Sequence, residues 1–526
     1  MTDRFAGTRG AVRVGLLVLM ISALGAGIGV QAAPRGGDTV VIGMEAEPPN
    51  LDPQQYSGVH SMRVIRRMFE GLTRQKDEST QVEPGLAESW TVSPDGLVYT
   101  FKVRSGIKFH DGTLLDANAV KFTFDRVLNK EHAAYKWGKW SFVVGNTAMI
   151  KSVEVVDPTT VRFTLKFPHT PFLVRLADVS TSIVSPKAVM DLKEGFPNQP
   201  VGTGAFRFES WDRGNRIVLR RSEQYWSTKA RPERLVYRCI IEPRARVTEL
   251  LTGNVDLIVA VHPDAVAQIE ANAKTTVHRQ TGIHFWYLGL NNDRGALFDK
   301  RVRQAIAYAL DKEAIARDIL KGTATVAHGP VNPGTWAHEP NIKKYPHDPA
   351  RAKALLSEAG FPNGLEIAFW VPESGSGMQV PVDMGTVIQA QLARAGIRAK
   401  ITIIEWAAFL ARLRTGEQEM FANSWLAGTE DPDVIFSFLF HSSAIPFPNR
   451  AHYRNPALDK IIEEARSTLD VRKRTELYRK AQVVVTEDVP YIYIDHDVQI
   501  VGVRRNLKGL KLHPGYDLRV NTTYHE

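Results

Sequence analysis

The chain has 526 residues, of which 44% are hydrophobic and 23% charged, with a formal net charge of +9. That length is too great for one ordinary core and fits about two to three domains, and the composition is that of a soluble globular protein. The basic residues are scattered, and the one dense run, Arg472-Lys473-Arg474, sits on a helical stretch, so the excess charge reads as a solvated face with no nucleic-acid partner. A single cysteine, Cys239, excludes an intrachain disulfide.

In chain order, Arg4, Arg9 and Arg13 precede an apolar run from Val14 to Val30 and small residues before Pro34. This is the pattern of a cleavable secretory signal over 1–33. An uncleaved anchor fits less well, because the run is glycine-rich and short for a span of about 20 residues. No cysteine follows the run, so the expectation is a periplasmic protein that is not a lipoprotein. A strand, 38–44, leads into a stiff connector with Pro48, Pro49 and Pro53, which carries Glu45 and Glu47. Ser93-Pro94-Asp95-Gly96 is a turn, and Tyr99, Phe101 and Val103 alternate with polar residues after it, so the stretch reads as a hairpin. Asp116 then caps a helix with Val120, Phe124, Val127 and Leu128 on one face. A β-rich run, 151–167, follows. Gly202-Thr203-Gly204 lacks the third glycine and the helix of a phosphate loop and reads as a turn.

The second half has a different rhythm. A strand, 283–290, precedes a helix capped by Asp299, and Asp348-Pro349 opens another helix that stops at Gly360. Strand 365–371, helix 383–395, strand 397–404, helix 407–415 and strand 420–425 then form a βαβαβ order, which predicts a parallel sheet. Ligands of such sheets bind beyond the carboxyl ends of the strands. The segments there are 372–377, Glu405-Trp406 and 425–433. Trp406 and Trp425 thus fall on one rim, where aromatic walls bury apolar ligand surface. Helices 455–469 and 470–487 follow, and a strand at 490–501 is expected to cross back.

Several stretches carry a family resemblance. Leu86 to Arg126, Val201 to Trp211, Arg301 to Ile315, Ala352 to Gly364 and Tyr453 to Ala465 together resemble the extracytoplasmic solute-binding proteins of the peptide, nickel and opine type, solute-binding family 5. The resemblance implies an α/β, bilobal periplasmic-binding-protein fold, two α/β lobes with an extra β-rich subdomain in the first. Its expected boundaries are lobe I over 34–283 with the subdomain at about 76–199, lobe II over 284–492, and a return to lobe I over 493–526. It also implies delivery of a captured solute to the permease of an ABC importer, a monomeric state and no cofactor.

By the same resemblance Trp425 and Trp406 match pocket tryptophans, with Trp286 and Trp140 as further aromatic candidates and Glu45 and Glu47 near the cleft. Peptide-binding members carry an aspartate three residues after the tryptophan matching Trp425, where it pairs with the peptide's α-amino group. Here that position is Gly428, followed by Thr429, Glu430 and Asp431. A buried ammonium needs a carboxylate, so either Glu430 or Asp431 replaces the missing one or the ligand is an opine, a sugar, a glutathione-like molecule or a metal chelate. The fifteen histidines show no metal-ligand spacing. A secreted hydrolase would need an activated nucleophile, and neither Gly375-Ser376-Gly377 nor Cys239 supplies one. A periplasmic sensor or chaperone on the same fold is not separated from a transport role by residues alone.

Overall fold

A computed structural model describes residues 38–526 except 57, 141–142, 376–377 and 426–428. The predicted leader, Gly428, and Ser376 and Gly377 of the 372–377 loop lie outside the described residues.

Eleven strands pair into one sheet. The order is Ile397–Ile404, Leu365–Pro372, Met420–Trp425, Thr275–Leu290, Tyr491–Arg504, Leu257–Ile258, Thr39–Met44, Arg234–Cys239, Arg216–Arg221 and Phe206–Asp212, with Ala324–Val326 added beside Tyr491–Arg504. As predicted, Leu365–Pro372 is parallel to both of its neighbours, so the carboxyl ends of three strands share an edge. The prediction falls short at the junction. The strand expected at 283–290 begins at Thr275, and the returning strand runs from Tyr491 to Arg504. These two pair antiparallel and join both halves of the molecule in one ladder, with register shifts between Thr281 and Phe285 and between Trp286 and Tyr287. Such pairing is invisible to local pattern because its partners lie more than 200 residues apart in sequence.

Helices cover both faces. On one, Ile306, Leu355, Ile388 and Ile494 build the core of the second half, and Val64, Phe206, Leu235 and Val501 that of the first. On the other, Phe285, Phe436, Tyr478 and Tyr493 pack in the second half and Leu250, Ile258 and Ile500 in the first. The local grammar held where it was strongest. Asp348 accepts from the Arg351 N–H, Pro349 opens Pro349–Glu358, and Gly360 follows at φ +92°, a conformation that suits glycine.

The β-rich subdomain is a separate antiparallel sheet in the order Ala87–Val92, Val98–Val103, Thr160–Leu165, Ile150–Asp157. The helix Ala117–Leu128 lies against it, capped by Asp116 through the Ala119 N–H. Phe163 meets Phe101 at 5.5 Å and Phe124 at 4.9 Å, both edge-on. Gly202 and Gly204, read above as turn glycines, serve close approach instead. A Cβ on them would stand 2.1 Å from the Met68 carbonyl oxygen and 2.4 Å from that of Arg67, at the end of the helix Gly58–Met68. His110 Nε2 binds the Gly204 carbonyl at 2.9 Å, tying the subdomain to this contact. Among the described residues no helix is long and apolar enough to cross a membrane.

Candidate binding cleft

The three parallel strand ends bring their following segments together. Trp425 closes its strand opposite Phe285, half-buried and edge-on to Phe438 at 5.7 Å, and among the described residues its buried indole N–H has no hydrogen-bond partner. Trp406, expected in a loop, is the first residue of the helix Trp406–Arg412, because the Glu405 carboxylate accepts the Ala407 and Ala408 N–H groups and starts the helix there. Its ring stacks on Phe409 at 5.8 Å, and a Cβ on Gly375 would stand 2.9 Å from that ring, so the 372–375 loop presses against it.

The acidic candidates divide. Asp431 is spent on structure: it accepts the Asp433 N–H as a helix cap and forms a two-pronged ion pair with Arg474 at 2.7 and 2.9 Å. Thr429 is buried, and its hydroxyl accepts the Asp431 N–H at 3.1 Å. Glu430 is half-buried and hydrogen-bonds Thr80 of the first half, with burial raising its carboxyl pKa against the lowering effect of that bond. Glu47 accepts Trp211 Nε1 at 2.6 Å and the Gly214 N–H at 2.9 Å, which fastens the proline-rich connector to a hairpin. Glu45 instead pairs with Arg63 at 3.0 Å, and Arg63 Nε also donates to the Tyr516 carbonyl at 3.2 Å. Burial opposes ionisation of Glu45, but Arg63, its own backbone N–H, His60 and Arg246 together outweigh it and the carboxyl stays below its usual range. Trp140 stands apart, packed on Val127 and Val143 under Arg126, with its N–H given to the Tyr135 carbonyl.

Sequence reading missed the floor of this region, where the two long strands cross between the halves. Asp497 accepts Gln379 Nε2 from the second half at 2.7 Å and, from the C-terminal segment, the Tyr516 hydroxyl. The Tyr516 ring lies 4.2 Å from that of His284, and its backbone is left-handed at φ +65°, a conformation that costs a non-glycine residue free energy and collects at functional sites. Asp495, two residues before Asp497, is 5% exposed and makes no hydrogen bond or ion pair among the described residues. Trp286 is its register partner, 3% exposed, with an indole N–H that has no partner among the described residues. Burial lifts the Asp495 carboxyl to about 7; burial and then the neighbouring Asp495 lift Asp497 well above the usual range. His284 is pushed down to about 3 by burial and then by Arg63. The available signal was the spacing in Tyr491-Ile-Tyr-Ile-Asp-His-Asp-Val, two acids on one face of a strand that otherwise reads as core.

A second set of bonds closes the outer side. Asp433, fully buried, accepts Arg466 Nε at 3.1 Å, Ser437 Oγ at 2.8 Å and the Tyr478 hydroxyl at 3.1 Å from its own half, and Arg175 Nη2 at 3.3 Å from the subdomain. Burial works against its charge, but Arg466, His169 and Arg175 hold the carboxyl far below its ordinary value. Thr170 adds two bonds, to the Arg466 and Thr468 carbonyls, both 3.0 Å. The arrangement encloses polar and aromatic groups between two halves. Among the described residues, no group of three or more His, Cys, Asp or Glu side chains is placed to hold a metal ion.

This fold is that of the bilobal periplasmic binding proteins. It superposes on the ABC transporter-associated periplasmic binding protein DppA from Helicobacter pylori in complex with the peptide STSA at a TM-score of 0.84 and 31% identity, covering 93% of this chain and 98% of that one. Residues 81–447 match the family model of bacterial extracellular solute-binding proteins, family 5, and the chain belongs to that family. Its relatives include heme-binding protein A of Haemophilus influenzae, 34% identical over 469 residues and 86% of each chain. The dipeptide-binding protein of Escherichia coli is 32% identical over 505 residues, 92% of this chain and 94% of that one.

Proposed function

We propose that the protein is the extracytoplasmic substrate-binding component of an ABC importer, that it captures short peptides between two hinged lobes, and that it presents the closed form to a permease in the inner membrane. The observation that carries this reading is the crossing of two long strands between halves that also exchange polar contacts: Gln379 and Tyr516 meet on Asp497, and Arg175 meets Asp433. A ligand touching both lobes stabilises the closed state by its differential affinity for it. Relatives named for peptides support the ligand class. Lobe I then covers 34–283 and 493–526, with its subdomain at about 76–199, and lobe II covers 284–492, so the hinge falls within the paired strands. The protein works by binding and closure without turnover, as a monomer, after a signal over 1–33 has directed it to the periplasm and been removed.

The test is calorimetry of the mature protein with a panel of di-, tri- and tetrapeptides, together with mass spectrometry of any small molecule that co-purifies. Saturable binding of peptides supports the proposal. Binding to none of them, with a sugar, opine or chelate released on denaturation, overturns the peptide assignment.

A further inference from the structure

We propose that Asp495 is the carboxylate that receives the cationic nitrogen of the bound solute, with the Trp286 indole N–H donating to a neighbouring acceptor on the same ligand. This rests on the reading above and specifies it: the ligand carries an ammonium group, the α-ammonium in the case of a peptide.

Three observations converge. First, no acid stands three residues after Trp425, where glycine occupies 428; Asp431 is locked in its pair with Arg474, and Glu430 is hydrogen-bonded to Thr80 of the first half. An ammonium drawn between the lobes is left with Glu430 and Asp495 as counter-charges, and of the two only Asp495 has no hydrogen-bond partner among the described residues. Second, Asp495 stands on the crossing strand with no partner in the described residues, flanked in register by Trp286 on one side and Val326 on the other. A carboxyl held 95% buried without a hydrogen bond loses the solvation it had in the unfolded chain, and packing gains nothing that a similar-sized apolar residue would not give. Third, the register partner Trp286 is itself buried on the same face, with an N–H that has no partner among the described residues. An unmatched acceptor and an unmatched donor side by side, on the strand where the halves meet, form a complementary pair for an ammonium next to a carbonyl.

Asp497 has a different part. Its oxygens are held by Gln379 and Tyr516, one from each lobe, so it joins the walls around the ligand group. The carboxyl of Asp495 at about 7 fits a site that waits for a cation: half protonated at neutral pH, it ionises when the ammonium arrives. The titratable groups of the region are Asp497 on the same strand, His284 on the long strand, Tyr516 on the C-terminal segment, and Glu45 with Arg63 from lobe I. Lys312, His328 and His338 surround the neighbouring His496.

The experiment compares alanyl-phenylalanine with its N-acetyl derivative by calorimetry, on the wild-type protein and on Asp495→Asn. The wild type is expected to prefer the free amine, and Asp495→Asn to lose at least about tenfold in affinity for it, about 1.4 kcal/mol, with the acetylated peptide unaffected. Titration of the wild type in two buffers of different ionisation enthalpy should also report release of about half a proton at pH 7 on binding the free amine. The second measurement needs no variant, so it decides the matter even if Asp495→Asn does not fold. Equal affinity of the folded variant for alanyl-phenylalanine, or binding by the wild type without proton release, overturns the assignment to Asp495 and leaves peptide binding standing. Failure of the wild type to bind either compound or any peptide of the panel overturns the peptide reading and this assignment with it; where another panel peptide binds, the same comparison is made on that peptide and its N-acetyl form.

Discussion

Replacing Arg175 with methionine isolates the contact that holds the subdomain to the second lobe. Arg175 is buried, donates to Asn146 Oδ1 at 2.9 Å within its own lobe, reaches Asp433 at 3.3 Å across the interface, and lies over the Phe438 ring at 5.1 Å. Methionine keeps most of the stem's packing and removes the charge. Asp433 retains Arg466, Ser437 and Tyr478, so no carboxylate is stranded and the fold should survive. The lost bridge is worth about 1.5 kcal/mol, the low end for a hydrogen bond between charged groups given its length, and the cation–π contact adds about 0.5 kcal/mol. Both act only when the lobes are together. A loss of about 2 kcal/mol disfavours closure roughly 30-fold, and ligand affinity falls by the same factor where the free protein is mostly open. Calorimetry gives the affinity, and small-angle scattering with and without ligand gives the closure. An Arg175→Met protein of unchanged circular dichroism that binds its ligand within twofold of wild type would refute the argument.

Other outcomes follow from the same geometry. Asp431→Ala leaves Arg474 buried without its partner and should cost about 3–5 kcal/mol in urea unfolding; adding Arg474→Met should restore part of that loss. Gly204→Ala drives a Cβ against the Arg67 carbonyl, and since neither atom belongs to a flexible side chain, soluble yield should collapse or stability fall by at least about 2 kcal/mol. The stability of wild type should also carry an acid signature from Asp495. Its folded pKa is raised, so the unfolded chain ionises first: stability is intact below about pH 4, declines between there and about pH 7, and ends lower by on the order of 4 kcal/mol. Asp495→Asn should remove that slope and be more stable than wild type at pH 8, which denaturant melts across pH 4–8 would register. Asp433 works in the opposite direction. Its pKa is depressed, so its contribution is present above about pH 4 and is lost as the pH falls through the folded value.

Elements held by short-range rules were legible in the sequence. The turn at Gly96, the Asp116 and Asp348 caps and the parallel trio around Leu365–Pro372 all depend on residues a few positions apart or on a repeated period. The continuous sheet was not, because Thr275–Leu290 and Tyr491–Arg504 each look like ordinary strands until they are paired. The site divided in the same way. Strand direction placed Trp425 and Trp406 at one edge, but proximity to Trp425 said nothing of whether Asp431 was free, and Arg474, which decides it, lies 43 residues on. Asp495 and Asp497 escaped notice because an apolar strand with two acids reads as a strand with a polar face, and only their burial makes those acids candidates for a site.

The register shifts at Thr281/Phe285 and Trp286/Tyr287 sit where the two long strands pass from lobe to lobe, with unbroken pairing on either side. Extra residues at such points bend and twist a ribbon while sparing the hydrogen bonds beyond them. A joint of this kind would behave as a leaf spring on the proposed function: the lobes swing by flexing the paired long strands, with Ala324–Val326 carried along on the outer edge of Tyr491–Arg504. On the proposed function, the axis of opening lies across the ribbon at residues 281–287. Asp495 and Asp497 lie in register with that stretch, so on this proposal they travel little as the jaws part, and a solute held there would keep the same charged contact whether the jaws are wide or shut.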